Sequence, residues 1–203
     1  MAYLRIVFFI MVLQGPLYAS PGGDFWLDTL ANKRRCVIDQ ALFDAKYVRE
    51  ETNQNDHPRI YAYFKAVGFK TPEKMRPSER AWCGAFVGAI LKWCGVTIAN
   101  VKNVAATVSW VTAGRKYIKD PRTIPPEPGD VSIYNFSKRR TGADHVEFVK
   151  YWHPNPKFPY VDIIGGNTSD PKKKKSYGVI AKTRLKWEIK SYYSLRALYA
   201  PAS

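Results

Sequence analysis

The chain has 203 residues, 46% of them hydrophobic, enough for the packed core of one domain and incompatible with a wholly disordered polypeptide. Its 32 Lys and Arg against 17 Asp and Glu give a formal net charge of +15, which points to an anionic polymer or membrane surface as partner and names no reaction. Cys36, Cys83 and Cys94 include no close pair and His57, His145 and His153 are scattered, so no zinc pattern is present and neither a metal nor a cofactor is expected.

The first twenty residues, MAYLRIVFFIMVLQGPLYAS, set Arg5 before an apolar run from Ile6 to Leu13, then Gly15-Pro16 and the small residues Ala19 and Ser20. This order predicts a secretory signal peptide over 1–20 and export to the periplasm or outside the cell, with an uncleaved anchor as the rival reading. The run is shorter than the roughly 20 apolar residues that a membrane span needs. Residues 21–44 read as an N-terminal helical extension and 45–203 as the main domain.

After the leader, DFWLDTLANKRRCVIDQALFDAKYVRE carries Ile38, Leu42 and Ala45 at helical spacing. ETNQNDHPRI interrupts the pattern, and Ile60, Phe64 and Val67 resume it until Gly68. A loop with Ser78 and Glu79 near a helix cap leads into AWCGAFVGAILKWCGV, apolar nearly all round and hence a buried helix, with Gly95 as its stop. Gly84 and Gly88 cost about 1 kcal/mol each relative to Ala, which implies that a neighbour's backbone comes close.

From Pro121 the character changes. DVSIYNF, HVEFVKYW and YVDIIGG are β-branched and aromatic runs separated by turn residues, the strands of an antiparallel sheet. Helices first and strands second predict an α+β domain with helices on one side of the sheet. The lysine run Lys172, Lys173, Lys174 and Lys175 reads as a solvated loop, with a wall or membrane-surface contact as the alternative. It has few interleaved aromatics, so nucleic acid is not an expected partner, and a monomer is expected. Trp110, Trp152 and Trp187 read as core and rim, a glycan groove being the alternative.

An odd cysteine count in an exported chain leaves one thiol to explain. Cys83 opens the buried helix, where the helix dipole and backbone N–H groups favour a thiolate and can hold an oxyanion. His145, at a strand start beside a loop, is the candidate base; alternation puts Glu147 on its side of the strand. The third member, which orients the imidazole, is assigned to Asn167 at the end of the next strand, with Glu147 and Asp162 as alternatives. Cys36 and Cys94 are left either to pair as a disulfide or to pack as free thiols.

The ordered set WCGAFV, PGDVSIY, DHVEFV and IIGGNTSD resembles the CHAP family (cysteine, histidine-dependent amidohydrolases/peptidases) and its NlpC-type relatives over roughly residues 45 to 170. In that family a Trp-Cys pair opens a buried helix, a Pro-Gly-Asp turn leads into a core strand, and a Gly-Asn element ends the strand after the catalytic histidine. Trp82-Cys83, Pro128-Gly129-Asp130, His145 and Gly166-Asn167 match it. The resemblance implies a papain-like core and a hydrolase of peptidoglycan amide bonds, acting on the sugar-to-stem linkage or within the peptide. A non-catalytic wall-binding module and lipid acyl transfer are the rival readings. Two positions depart from the pattern. Gly165 stands where many members carry an acid two places before the Asn, and Ala143-Asp144 stands where a Gly or Ser commonly precedes the histidine.

Overall fold

The computed structural model describes residues 29–50, 55–76, 79–136, 143–169 and 177–199. The leader at 1–20, Ser78 and the run from Lys172 to Lys175 lie outside the described residues. Among those residues, no helix is long and apolar enough to cross a membrane.

Helix α1 spans Leu30–Tyr47, with the Thr29 side chain accepting a hydrogen bond from the Asn32 N–H at 3.2 Å to start it. Its inner stripe is Arg34, Val37, Ala41, Asp44 and Ala45, one position off the Ile38–Leu42 line that hydropathy suggests. Ile38 and Leu42 pack at the margin of the core instead. The displacement has a polar cause. Asp44 is buried because Arg59 grips both of its oxygens, at 3.1 and 3.2 Å, and Tyr63 donates to it at 2.8 Å. A paired carboxylate of this kind is invisible to a hydrophobicity count.

Strand β1 (Arg49–Glu50) follows, then α2 (Pro58–Ala66), which begins on its Pro and stops before Gly68 at φ +103°. A 3-10 turn at Pro72–Lys74 precedes α3 (Cys83–Trp93), whose residues Cys83 to Leu91 are all buried. Its glycines meet the neighbour their cost implies: a Cβ on Gly84 would lie 2.4 Å from the Ala105 carbonyl oxygen, and one on Gly88 2.1 Å from Val104 Cγ1. Gly95, at φ +66°, and the Val96 N–H bonding to the Leu91 carbonyl close the helix. A short helix α4 (Thr107–Val111) and strand β2 (Ile118–Lys119) lead to β3 (Val131–Tyr134), β4 (His145–Trp152), β5 (Tyr160–Ser169), β6 (Tyr177–Leu185) and β7 (Ile189–Tyr193), and α5 (Arg196–Tyr199) ends the fold.

The strands form one antiparallel sheet in the order β1-β6-β5-β4-β3-β7-β2. Helices α1 and α3 pack on one face of it, over β4, β5 and β6, and the main core lies between. A smaller apolar cluster of Tyr134, Val149, Val161, Ile163 and Ile189 covers the other face. The expected α+β class and antiparallel sheet are therefore present. The boundary drawn between residues 44 and 45 falls inside α1, and Val37 and Ala41 share the main core with Ala45.

Two ties hold α1 to the rest. Cys36 and Cys94 form a disulfide, Cα to Cα 5.8 Å, which joins α1 to the end of α3 and leaves Cys83 as the free thiol. Arg34 donates to the Pro128 carbonyl at 2.5 Å and pairs with Asp130 at 2.9 Å. Asp130 in turn accepts from the Leu195 and Glu127 N–H groups, both at 2.9 Å, so the Pro-Gly-Asp turn is a structural knot.

Candidate active site

Cys83 is the first residue of α3, and it is fixed by what holds Trp82 before it. The Trp82 indole donates to the Asn55 side-chain oxygen at 2.9 Å and its ring stacks on Tyr63 at 5.8 Å. Strand β5 passes so near that a Cβ on Gly166 would lie 2.6 Å from the Trp82 ring and 2.7 Å from Phe86. Glu79, expected near the cap, turns away and bonds Arg76 at 2.6 Å. No side-chain cap hydrogen bond is made at Trp82, the helix's N-cap, and Cys83 lines an adjoining cavity.

His145, the first residue of β4, is within hydrogen-bonding reach of Cys83 across that cavity. Its Nε2 lies 3.0 Å from Glu147 Oε1, so Nδ1 is the ring nitrogen available to the sulfur. Glu147 is wholly buried and is gripped from β6: Arg184 Nε donates to Oε2 at 2.5 Å and Nη2 to Oε1 at 2.9 Å. The guanidinium itself lies against a stacked pair of rings, 4.9 Å from the Tyr134 centroid and 4.6 Å from the Phe136 centroid. Thiol, imidazole, carboxylate and guanidinium thus form one line from α3 through β4 to β6.

The electrostatics follow from this line. Burial alone would strip the proton from His145, but the charges of Glu147 and Cys83, and hydrogen bonds to both, raise its pKa to about 9. Burial pushes the Glu147 carboxyl up, yet His145 and the Arg184 fork outweigh it and hold the pKa down at about 2. The imidazole is therefore held as a cation beside the sulfur. Such a unit can stabilise a thiolate and deliver a proton to a departing group.

Asn167 lines the same cavity, a cleft of about 520 Å³ that also includes Asp144, Lys182 and Arg184. It sits at φ +53° in a β-bulge between Gly165 and Thr168 and makes no hydrogen bond to His145; the partner of the imidazole's Nε2 is Glu147. Asp162, the other alternative, lies far down β5 and faces His153 at 3.9 Å. Gly165 explains the exchange. A Cβ there would lie 2.5 Å from Glu147 Oε1, so the space beside this glycine holds a carboxylate delivered from β4. Ala143 is buried, and Asp144 accepts from the Phe136 N–H at 3.0 Å, anchoring the lead-in to β4.

Arg184 is the site residue that sequence reasoning missed. Nothing local in VIAKTRL ties residue 184 to residue 147. Of the three tryptophans considered for a groove, Trp110 is fully buried. Trp152 and Trp187 line a separate hollow of about 790 Å³ with Pro154, Pro156 and Pro159. Trp152 is seven residues along β4 from His145, about 23 Å at strand spacing. Among the described residues no group of His, Cys, Asp and Glu could hold a metal ion. No protein-family model, curated protein or solved structure matches this chain.

Proposed function

We propose that this protein is an exported cysteine hydrolase with a papain-like core that cleaves an amide bond of peptidoglycan, with Cys83 as nucleophile and His145 as proton carrier. The observation that carries the reading is the free thiol at the start of α3 facing an imidazole whose far nitrogen is bonded to a buried carboxylate at 3.0 Å. The disulfide between Cys36 and Cys94 suits an oxidising compartment. The net charge of +15 suits an anionic wall polymer as partner. Peptidoglycan itself comes from the family resemblance of the ordered motifs.

In this mechanism the Cys83 thiolate attacks the amide carbonyl carbon, forming a C–S bond. The resulting oxyanion is met by the Cys83 N–H and a second donor at the start of α3. As the C–N bond breaks, imidazolium His145 gives its proton to the leaving amine. Acylation also removes the sulfur's charge, one of the causes holding the proton on His145, so the ring stays neutral and can take a proton from water. Water attacks the thioester carbonyl, the C–S bond breaks, and a carboxylic acid and the Cys83–His145 pair are restored. Glu147 keeps the ring turned and in the right tautomer, the role assigned from sequence to Asn167, which instead contributes to the wall of the cleft.

Mass spectrometry of purified sacculi digested with the protein tests this reading. New amine and carboxyl ends at one type of bond are expected. An unchanged muropeptide profile sinks the hydrolase reading.

A further inference from the structure

We infer that Arg184 is a positioning residue that divides the charge of Glu147 between two cations, so that His145 can give up its proton. This deepens the Cys–His hydrolase reading and rests on it. The geometry is specific. His145 Nε2 and Arg184 Nη2 both donate to the same oxygen, Glu147 Oε1, at 3.0 and 2.9 Å. The two cations therefore lie within about 6 Å of each other, close enough to disfavour one another's charge in a buried setting.

A carboxylate buried beside a histidine alone would hold the imidazolium as a tight ion pair. A general acid so held is a poor proton donor, because proton transfer is fastest when the acid's pKa lies near the working pH. Arg184 counters this because guanidinium does not lose its charge. It also cannot easily turn to substrate, since its Nε and Nη2 both donate to Glu147 and its guanidinium lies against the Tyr134 and Phe136 rings. The other titratable or charged groups around the imidazole are Cys83 on α3, Tyr134 on β3, Asp144 just before β4, Tyr177 and Lys182 on β6 and Glu188 beyond it. Of these and Arg184, Arg184 is the cation bonded directly to the histidine's own partner.

NMR titration of His145 in the full chain tests the inference, with wild type compared with Arg184→Gln and Arg184→Lys. Loss of the charge in R184Q is expected to raise the His145 midpoint by about one pH unit. R184K, which keeps the charge, is expected to stay near wild type. In the muropeptide assay R184Q should lower kcat about tenfold with KM within about twofold. Should R184Q not fold, Phe136→Leu, at a half-exposed ring, removes one of the two rings that the guanidinium lies against and is expected to move the midpoint up by less. A midpoint unmoved or lowered in R184Q, or in Phe136→Leu where R184Q does not fold, overturns the inference, as does a rise in KM with kcat unchanged, which would make Arg184 a substrate ligand. If wild type hydrolyses nothing, the titration still decides the role of Arg184, and that failure counts against the proposed function alone.

Discussion

Gly165 and Glu147 occupy neighbouring strands as a matched pair: a Cβ at 165 would lie 2.5 Å from Oε1 and 2.6 Å from Cγ of the carboxylate. Glu147 cannot swing aside, because Arg184 holds both of its oxygens. Gly165→Ala is expected to cost about 1–3 kcal/mol by overpacking. It is also expected to lower hydrolysis by about a hundredfold by displacing the carboxylate and, with it, the imidazole. Urea denaturation and amine release from sacculi check the two parts. The double exchange Glu147→Gly with Gly165→Asp moves the carboxylate to β5, and recovery of part of the lost activity is expected.

The His145–Glu147 pair should make stability depend on pH. The imidazole is raised from 6.5 to about 9, so its contribution is complete below 6.5 and is lost as pH rises through about 9. Glu147 is lowered from 4.5 to about 2, so its contribution is present above 4.5 and is lost as pH falls through about 2. Between 4.5 and 6.5 both are complete. Glu147→Gln, which strips Arg184 and His145 of their partner, is expected to cost about 3–5 kcal/mol at pH 5.5. The difference from wild type should narrow as pH rises past 9. Denaturant titrations at pH 5.5 and 9.5 read this out, and a difference equal at both would contradict the pairing.

The three cysteines should behave unequally. Native protein is expected to take up one iodoacetamide, on Cys83, and reduced, unfolded protein three. Replacing Cys36 and Cys94 by Ser opens a loop of 58 residues and is expected to cost about 4 kcal/mol. The α1–α3 packing should loosen while the Cys83–His145 line stays intact. Thermal melts of the double variant, with Cys83 labelling as a check on the site, test this.

Much of the site was legible because its chemistry is local. The Cys83 helix is apolar all round and so announces its burial. His145 and Glu147 stand two apart in a strand, so alternation alone puts them on one face. What was not legible depends on partners distant in the chain. Nothing near Arg184 in the chain points to Glu147, 37 residues away, to which β6 brings it. Asp44 reads as the polar edge of α1 until Arg59 and Tyr63 close on it. Asn167 takes the orienting role in the sequence reading from its place at the end of the next strand, and the bulge between Gly165 and Thr168 that carries it into the cleft wall leaves no trace in a hydropathy pattern. The sheet's class followed from its β-branched runs, whereas β1 and β2, two residues each, are defined by their neighbours alone.

Asn167 is expected to matter less than Glu147. Asn167→Ala should keep more than about a tenth of wild-type activity, since the ring is held by the carboxylate, whereas Glu147→Gln should fall by about a hundredfold or more. Parallel kcat and KM measurements on the two variants check the order, and the reverse ranking would return the orienting role to Asn167.

The most direct test of Cys83 as nucleophile compares amine release from purified sacculi by wild type and Cys83→Ala, with circular dichroism confirming that both are folded. Wild type is expected to release amine steadily and Cys83→Ala to release none above the blank. Equal release by the two proteins would contradict the mechanism at its first step.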